Sequence, residues 1–92
     1  MPPLSDSEIK SRAVAVPDWQ IDAGELVRTF LFKDFRASLA FVNKVGDIAE
    51  NAGHHPDIDI RYNKVRLALV THDAGGITQK DFDVATAADK LC

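Results

Sequence analysis

The stretch Asp57-Ile58-Asp59-Ile60-Arg61-Tyr62-Asn63-Lys64-Val65-Arg66-Leu67-Ala68-Leu69-Val70-Thr71-His72 decides the fold. From Asp57 to Tyr62 the side chains alternate. Ile58, Ile60 and Tyr62 share one face, and Asp57, Asp59 and Arg61 share the other. A period of two is the mark of a half-buried strand. Asn63-Lys64 reads as the connection and Val65 to His72 as the next strand. Val65, Leu67, Leu69 and Thr71 lie on one face of it, and Arg66, Ala68, Val70 and His72 on the other. Two strands joined by so short a link pair antiparallel. The hairpin therefore sets the start of its first strand beside the end of its second.

Upstream, Asp34 can cap a long helix running to about Ala52. Phe35, Leu39, Val42, Val45 and Ala49 keep a helical period, and Phe41 and Ile48 widen the apolar stripe. Gly53 suits the C-terminal cap, where a left-handed residue is wanted, and Pro56 blocks further helix. Further back, Glu25 to Phe32 reads as a strand from its β-branched and aromatic content. The turn signal Asp22-Ala23-Gly24 joins it to a short strand near Trp19 and Ile21. Ser5 to Ala15 reads as a helix, with Ser5 or Asp6 as cap, Glu8 in the first turn and Pro17 beyond its end. Downstream, Ala74-Gly75-Gly76 is a loop. Thr78 can cap a last helix running to the C terminus, with Phe82, Ala85, Ala88 or Asp89, and Leu91 near one side. The order αββαββα with strands in hairpin pairs implies an α+β fold: a four-stranded antiparallel sheet with helices packed on one face.

With 92 residues the chain is expected to form a single domain, residues 1–92. A core of this size buries only roughly 60% of the unfolded surface, so association with further copies is a reasonable expectation. The net charge of -3, with Lys and Arg scattered, argues against a direct nucleic-acid binder and against an anionic membrane surface. No apolar run approaches the roughly 20 residues of a spanning helix. The start, Met1-Pro2-Pro3-Leu4-Ser5-Asp6, lacks the pattern of a signal peptide. One cysteine, Cys92, cannot close an internal disulfide. The expected location is cytoplasmic.

All three histidines fall in the second half, as His54, His55 and His72. The hairpin topology brings the His54-His55 pair close to His72. Converging imidazoles suit acid–base chemistry, because an unperturbed imidazole titrates near pH 6.5 and can give or take a proton. Metal ligation is the weaker reading. Adjacent residues on an extended segment point to opposite sides, and no second compact ligand pair is present. The bland alternative is that these side chains only cap the loop. Gly75-Gly76 has no phosphate-loop spacing, and no Gly-x-Ser-x-Gly occurs.

These residues resemble the signature of the pterin-4a-carbinolamine dehydratase family. Glu50 is followed after three residues by His54-His55-Pro56, after five by Tyr62, after nine by His72 and after eight by Asp81. Phe32-Lys33-Asp34-Phe35, Tyr62-Asn63-Lys64-Val65 and Thr71-His72-Asp73 are similar to further family segments, and the likeness runs from about Trp19 to Leu91. The resemblance implies dehydration of 4a-hydroxytetrahydrobiopterin to quinonoid dihydrobiopterin, in the recycling of the pterin used by aromatic amino-acid hydroxylases. It implies no cofactor and no metal, the pterin being substrate, and a homodimer or homotetramer. By the same resemblance His54 and His72 transfer protons and His55 assists. Glu50, Trp19, Pro56 and Asp81 are the expected substrate-binding positions. Glu50 would orient an imidazole, Trp19 would line the pocket and Pro56 would fix the loop. Asp81 could equally serve the positive end of the last helix. The alternative is a non-enzymatic dimerisation or assembly partner, a role that some family members have.

Overall fold

A computed structural model describes residues 2–92. The elements run α1 (Asp6–Ala13), β1 (Gln20–Asp22), β2 (Glu25–Leu31), α2 (Phe35–Ala52), β3 (Asp57–Arg61), β4 (Lys64–Leu69), a 3-10 turn (His72–Ala74) and α3 (Gln79–Asp89). The strands form one antiparallel sheet in the order β1-β2-β4-β3. The α+β order expected from the sequence is the one observed.

The sheet's central pair is β2–β4, in the register Leu26↔Leu69, Arg28↔Leu67 and Phe30↔Val65. Directly paired residues share a face, so Leu26, Phe30, Val65, Leu67 and Leu69 form one buried layer. Phe41, Val45 and Ala49 of α2 and Phe82, Ala85 and Ala88 of α3 cover it. The opposite face carries Thr29, Asp59, Arg61, Lys64 and Arg66, with Asp59 paired opposite Arg66. Val65, Leu67 and Leu69 are fully buried, as the alternation in β4 requires. Arg28 is the exception on the apolar face. Its guanidinium lies 4.1 Å over the Phe30 ring and 2.7 Å from Asp89 Oδ1, which lets an ion sit among apolar neighbours.

Two boundaries of the β3–β4 hairpin differ from the sequence reading, each for a local reason. The β3–β4 turn is Tyr62-Asn63, not Asn63-Lys64, because Arg61 pairs with Lys64. Tyr62 therefore leaves the strand's inward face. It is 65% exposed and adopts φ +52°, an uncommon conformation for a bulky residue. The β2–α2 junction holds it there. Ser38 Oγ donates to the Tyr62 carbonyl at 2.8 Å, Phe32 N–H donates to the Asn63 carbonyl, and Asn63 Nδ2 donates to the Phe32 carbonyl. The second difference is that β4 ends at Leu69 and His72 sits in the 3-10 turn. Thr71 forms a bridge with Gly76, and Gly75 takes φ +77° as the chain reverses.

The helix ends follow the capping residues. Asp34 accepts from Ala37 N–H at the start of α2. Gly53, at φ +64°, closes α2 by donating to the Ala49 and Glu50 carbonyls. α1 stops at Ala13, two residues short of the expected end, after a capping box between Ser5 and Glu8. The N-terminal arm is anchored by Leu4 N–H on the Ile77 carbonyl. A Cβ built on Gly76 would come within 3.0 Å of Pro3 Cβ, so the arm packs directly against the loop that carries His72. No helix among the described residues is long and apolar enough to cross a membrane.

The capping box makes α1 sensitive to acid. Hydrogen bonds from the Ser5 backbone and side chain hold the Glu8 carboxyl below its ordinary value of 4.5. A group whose pKa falls on folding stabilises above its unfolded pKa and loses that contribution as pH falls through the folded one. The first turn of α1 should therefore fray as pH drops below about 4.5. The protection factor of the Glu8 amide, its intrinsic exchange rate divided by the observed one at each pH, should fall over that window, and Glu8→Gln should make the protection at this position independent of pH there.

Candidate active site

The C-terminal cap of α2 delivers the first two histidines. Gly53 turns the chain left-handed, and His54 N–H then bonds the Ala49 carbonyl at 3.1 Å. His54 is thereby carried under the start of α3, and its side chain is only 13% exposed. His55, one residue on, points outward and is 60% exposed. This is the opposed orientation expected of adjacent residues on an extended segment.

Each of these imidazoles meets a carboxylate. His54 Nε2 lies 2.5 Å from Asp81 Oδ1, and His55 Nε2 lies 2.5 Å from Glu50 Oε2. The two pairs differ in setting. Asp81 is completely buried, whereas Glu50 stands on the exposed last turn of α2. Asp81 Oδ2 accepts from Thr71 Oγ1 at 2.9 Å and from Thr78 N–H at 2.9 Å. Thr71 and Thr78 share a further hydroxyl bond of 2.8 Å. One buried carboxylate therefore ties together the end of the β4 segment, the N-terminus of α3 and His54. No buried side-chain nitrogen or oxygen among the described residues is left without a partner.

A carboxylate that accepts from Nε2 fixes the proton of a neutral imidazole on that nitrogen. For both His54 and His55, Nδ1 is then the ring nitrogen free to exchange a proton with a bound molecule. His72 is exposed on the 3-10 turn, and its ring has no hydrogen-bond partner among the described residues.

The three histidines line one open cleft of about 270 Å³, together with Gly53, Val70, Thr71, Asp73 and Lys80. That volume lies just under the roughly 300–1,000 Å³ of small-molecule pockets. Of the expected substrate-binding residues, Asp81 and Glu50 stand behind the cleft as partners of its histidines. Pro56 follows them at the entry to β3 and does not line the cleft. Trp19 is not brought there. It is buried in the core, edge-on to Phe30 at 6.0 Å between centroids, and its Nε1–H donates to Asp89 at 2.8 Å. Asp89 lies at the far end of α3, roughly 12 Å along the helix from Asp81 at 1.5 Å per residue.

Lys80, Asp73 and Thr71 belong to the cleft wall, and the sequence reading gave none of them a role in the site. Thr78-x-x-Asp81 is a capping box that sets the start of α3, so Lys80 falls in the first helical turn, and only the docking of α3 puts it on the cleft. Among the described residues no group of three or more His, Cys, Asp or Glu side chains is disposed to hold a metal ion. Cys92 is exposed and free.

Comparison with known proteins gives a consistent set of likenesses. Residues 2–91 match the profile of the family described as pterin 4 alpha carbinolamine dehydratase. The chain is 57% identical over 91 residues to a Chloroflexus aurantiacus protein that carries pterin-4-alpha-carbinolamine dehydratase as its assigned name, covering 99% of this chain and 98% of that one. A crystal structure described as a transcriptional coactivator/pterin dehydratase from Brucella melitensis superposes with a TM-score of 0.93, at 31% identity and 97% coverage of both chains. A pterin dehydratase-like protein described as a RuBisCO assembly factor in the alpha-carboxysome has a TM-score of 0.65. It is 23% identical and covers 79% of this chain and 84% of that one, a likeness of fold alone.

Replacing Asp81 tests the buried network directly. Asp81→Ala strands three donors, each worth about 1–3 kcal/mol when left unsatisfied in the interior. Urea unfolding should show a loss on the order of 3 kcal/mol. In the parent protein ¹⁵N spectra should report neutral His54 as the Nε2–H tautomer. A dominant Nδ1–H form would contradict the arrangement.

Proposed function

Because the chain belongs to the pterin-4a-carbinolamine dehydratase family, we propose that its histidine cleft removes water from 4a-hydroxytetrahydrobiopterin and related 4a-hydroxytetrahydropterins. The observation that carries this reading is the cleft itself. His54, His55 and His72 line one open hollow, and two of them are held by carboxylates through Nε2.

The chemistry asks for little beyond placed proton carriers. The hydroxyl leaves from carbon 4a, which also bears N5. The N5 lone pair forms the new carbon–nitrogen double bond as the carbon–oxygen bond breaks. An acid protonates the departing oxygen to give water, and a base removes the N5 proton to give the quinonoid dihydropterin. Electrons balance without a redox partner, and the proton given up by the acid is matched by the one the base receives. Imidazoles near neutral pH serve both tasks. His54 exchanges its proton at Nδ1, because Asp81 occupies Nε2. His72, with both ring nitrogens free, completes the proton path from the other side of the hairpin. His55 assists at the open rim, with Glu50 as its orienting partner.

The quinonoid product would be reduced and returned to an aromatic amino-acid hydroxylase, which places the protein in tetrahydrobiopterin recycling. A cytoplasmic homodimer or homotetramer fits this role. Phe35 and Leu39, exposed on one side of α2 at 45% and 39%, support an assembly of identical chains. A second reading, a partner-binding role, is supported by the coactivator description of the Brucella melitensis relative. The two roles separate by experiment, since a pure scaffold would not accelerate dehydration.

The assay is stopped-flow dehydration of synthetic 4a-hydroxytetrahydropterin. Loss of one positioned acid–base group costs about 10²–10⁴-fold in rate. His54→Ala and His72→Ala should each lower kcat by that order while keeping the circular dichroism spectrum. Near-parental turnover in the folded double variant, or no acceleration by the parent protein, would overturn the proposal.

A further inference from the structure

A second, smaller hollow of about 100 Å³ adjoins the histidine cleft and is lined by Thr71, Asp73, Ala74 and Lys80. Three of those residues, Thr71, Asp73 and Lys80, also line the histidine cleft. A molecule seated against the histidines would therefore extend past a shared wall into the annex. The volume suits a short substituent, being far below the roughly 300 Å³ at the lower end of whole-ligand pockets.

The chemistry of the annex is mixed in sign. Lys80 stands on the first turn of α3 and Asp73 in the 3-10 turn, both exposed. Neither side chain makes an ion pair among the described residues. An ammonium alone would favour an anion and a carboxylate alone a cation. The two together, on one short wall, favour a neutral group that both donates and accepts. A hydroxyl does both. The Thr71 hydroxyl is already committed to Asp81 and Thr78, so it fixes the wall instead of competing for the ligand.

We propose that Asp73 and Lys80, across the Thr71–Ala74 annex, receive the hydroxylated side chain on carbon 6 of the pterin and so set substrate preference. This rests on the dehydratase reading for the identity of the ring. Asp73 accepts from one hydroxyl and Lys80 donates to another, while the ring lies among the histidines. The buried Asp81 network fixes both ends of this wall, because it bonds Thr71 on one side and the start of α3 on the other.

The test is equilibrium binding, which needs no turnover. Unreactive 7,8-dihydrobiopterin, with its dihydroxypropyl chain, is compared with 6-methyl-7,8-dihydropterin on the parent protein, on Lys80→Met and on Asp73→Asn. The ratio of the two dissociation constants on one variant cancels any general loss of folding or of ring binding. Two hydrogen bonds to a charged wall should give a preference of about tenfold for the dihydroxypropyl compound in the parent. The ratio should fall below about threefold in each variant. Equal constants in the parent, or a ratio that survives both substitutions, overturns the subsite. Failure of the dehydratase reading has a different signature, the absence of turnover in the stopped-flow assay whatever the binding ratio.

Discussion

A single buried carboxylate organises the functional half of this molecule. Asp81 has no solvent exposure, and it meets three hydrogen-bond donors from three different parts of the chain. Taking a carboxylate out of water is costly unless its oxygens are satisfied. The cost is offset only when Thr71, Thr78 and His54 arrive together. That requirement couples the turn after β4, the start of α3 and the end of α2 into one arrangement. The same residue that closes the α3 capping box thus sets the orientation of His54 in the cleft.

The sheet makes this meeting possible. Because β3 and β4 pair antiparallel from the Tyr62-Asn63 turn, Asp57 comes to rest opposite Ala68. The residues just before β3 and just after β4 must then emerge at the same sheet end. His54 and His55 leave from one and His72 from the other. The apolar layer of Val65, Leu67 and Leu69 keeps that register, since a slip by one residue would turn these fully buried side chains to the charged face. Core packing and site geometry are therefore one constraint: the alternation that buries β4 also fixes which loops face each other.

Much of this was legible in the sequence, and what was missed has definite causes. The strands, the long helix and the approach of the histidines follow from hydrophobic period and from the hairpin rule. The boundary errors arose where distant contacts decide. Tyr62 continues the alternation of Ile58 and Ile60, yet Ser38 and Phe32 claim the turn and force it to a positive φ. His72 continues the pattern of β4, yet the Thr71–Gly76 bridge ends the strand before it. Trp19 illustrates the other kind of blindness. A tryptophan on a short strand beside a turn suits a pocket wall or a core equally, and only the position of Asp89 assigned its indole N–H. Lys80 carries no local signal at all, because its place on the cleft depends on how α3 docks.

The contrast between the two histidine–carboxylate pairs bears on how such a site divides its work. Both imidazoles touch a carboxylate through Nε2, but His55 and Glu50 are bathed in solvent, where an ion pair contributes little and side chains move freely. His54 and Asp81 are shielded, and every neighbouring donor is committed. The geometry of the buried pair is the harder to disturb, because its alternatives all leave a polar group unsatisfied in the interior. The exposed pair at the rim has water as an alternative partner and is held less tightly. Adjacent positions in the chain thus acquire different settings from burial alone, with a one-residue step carrying the ring from a shielded environment to a solvated one.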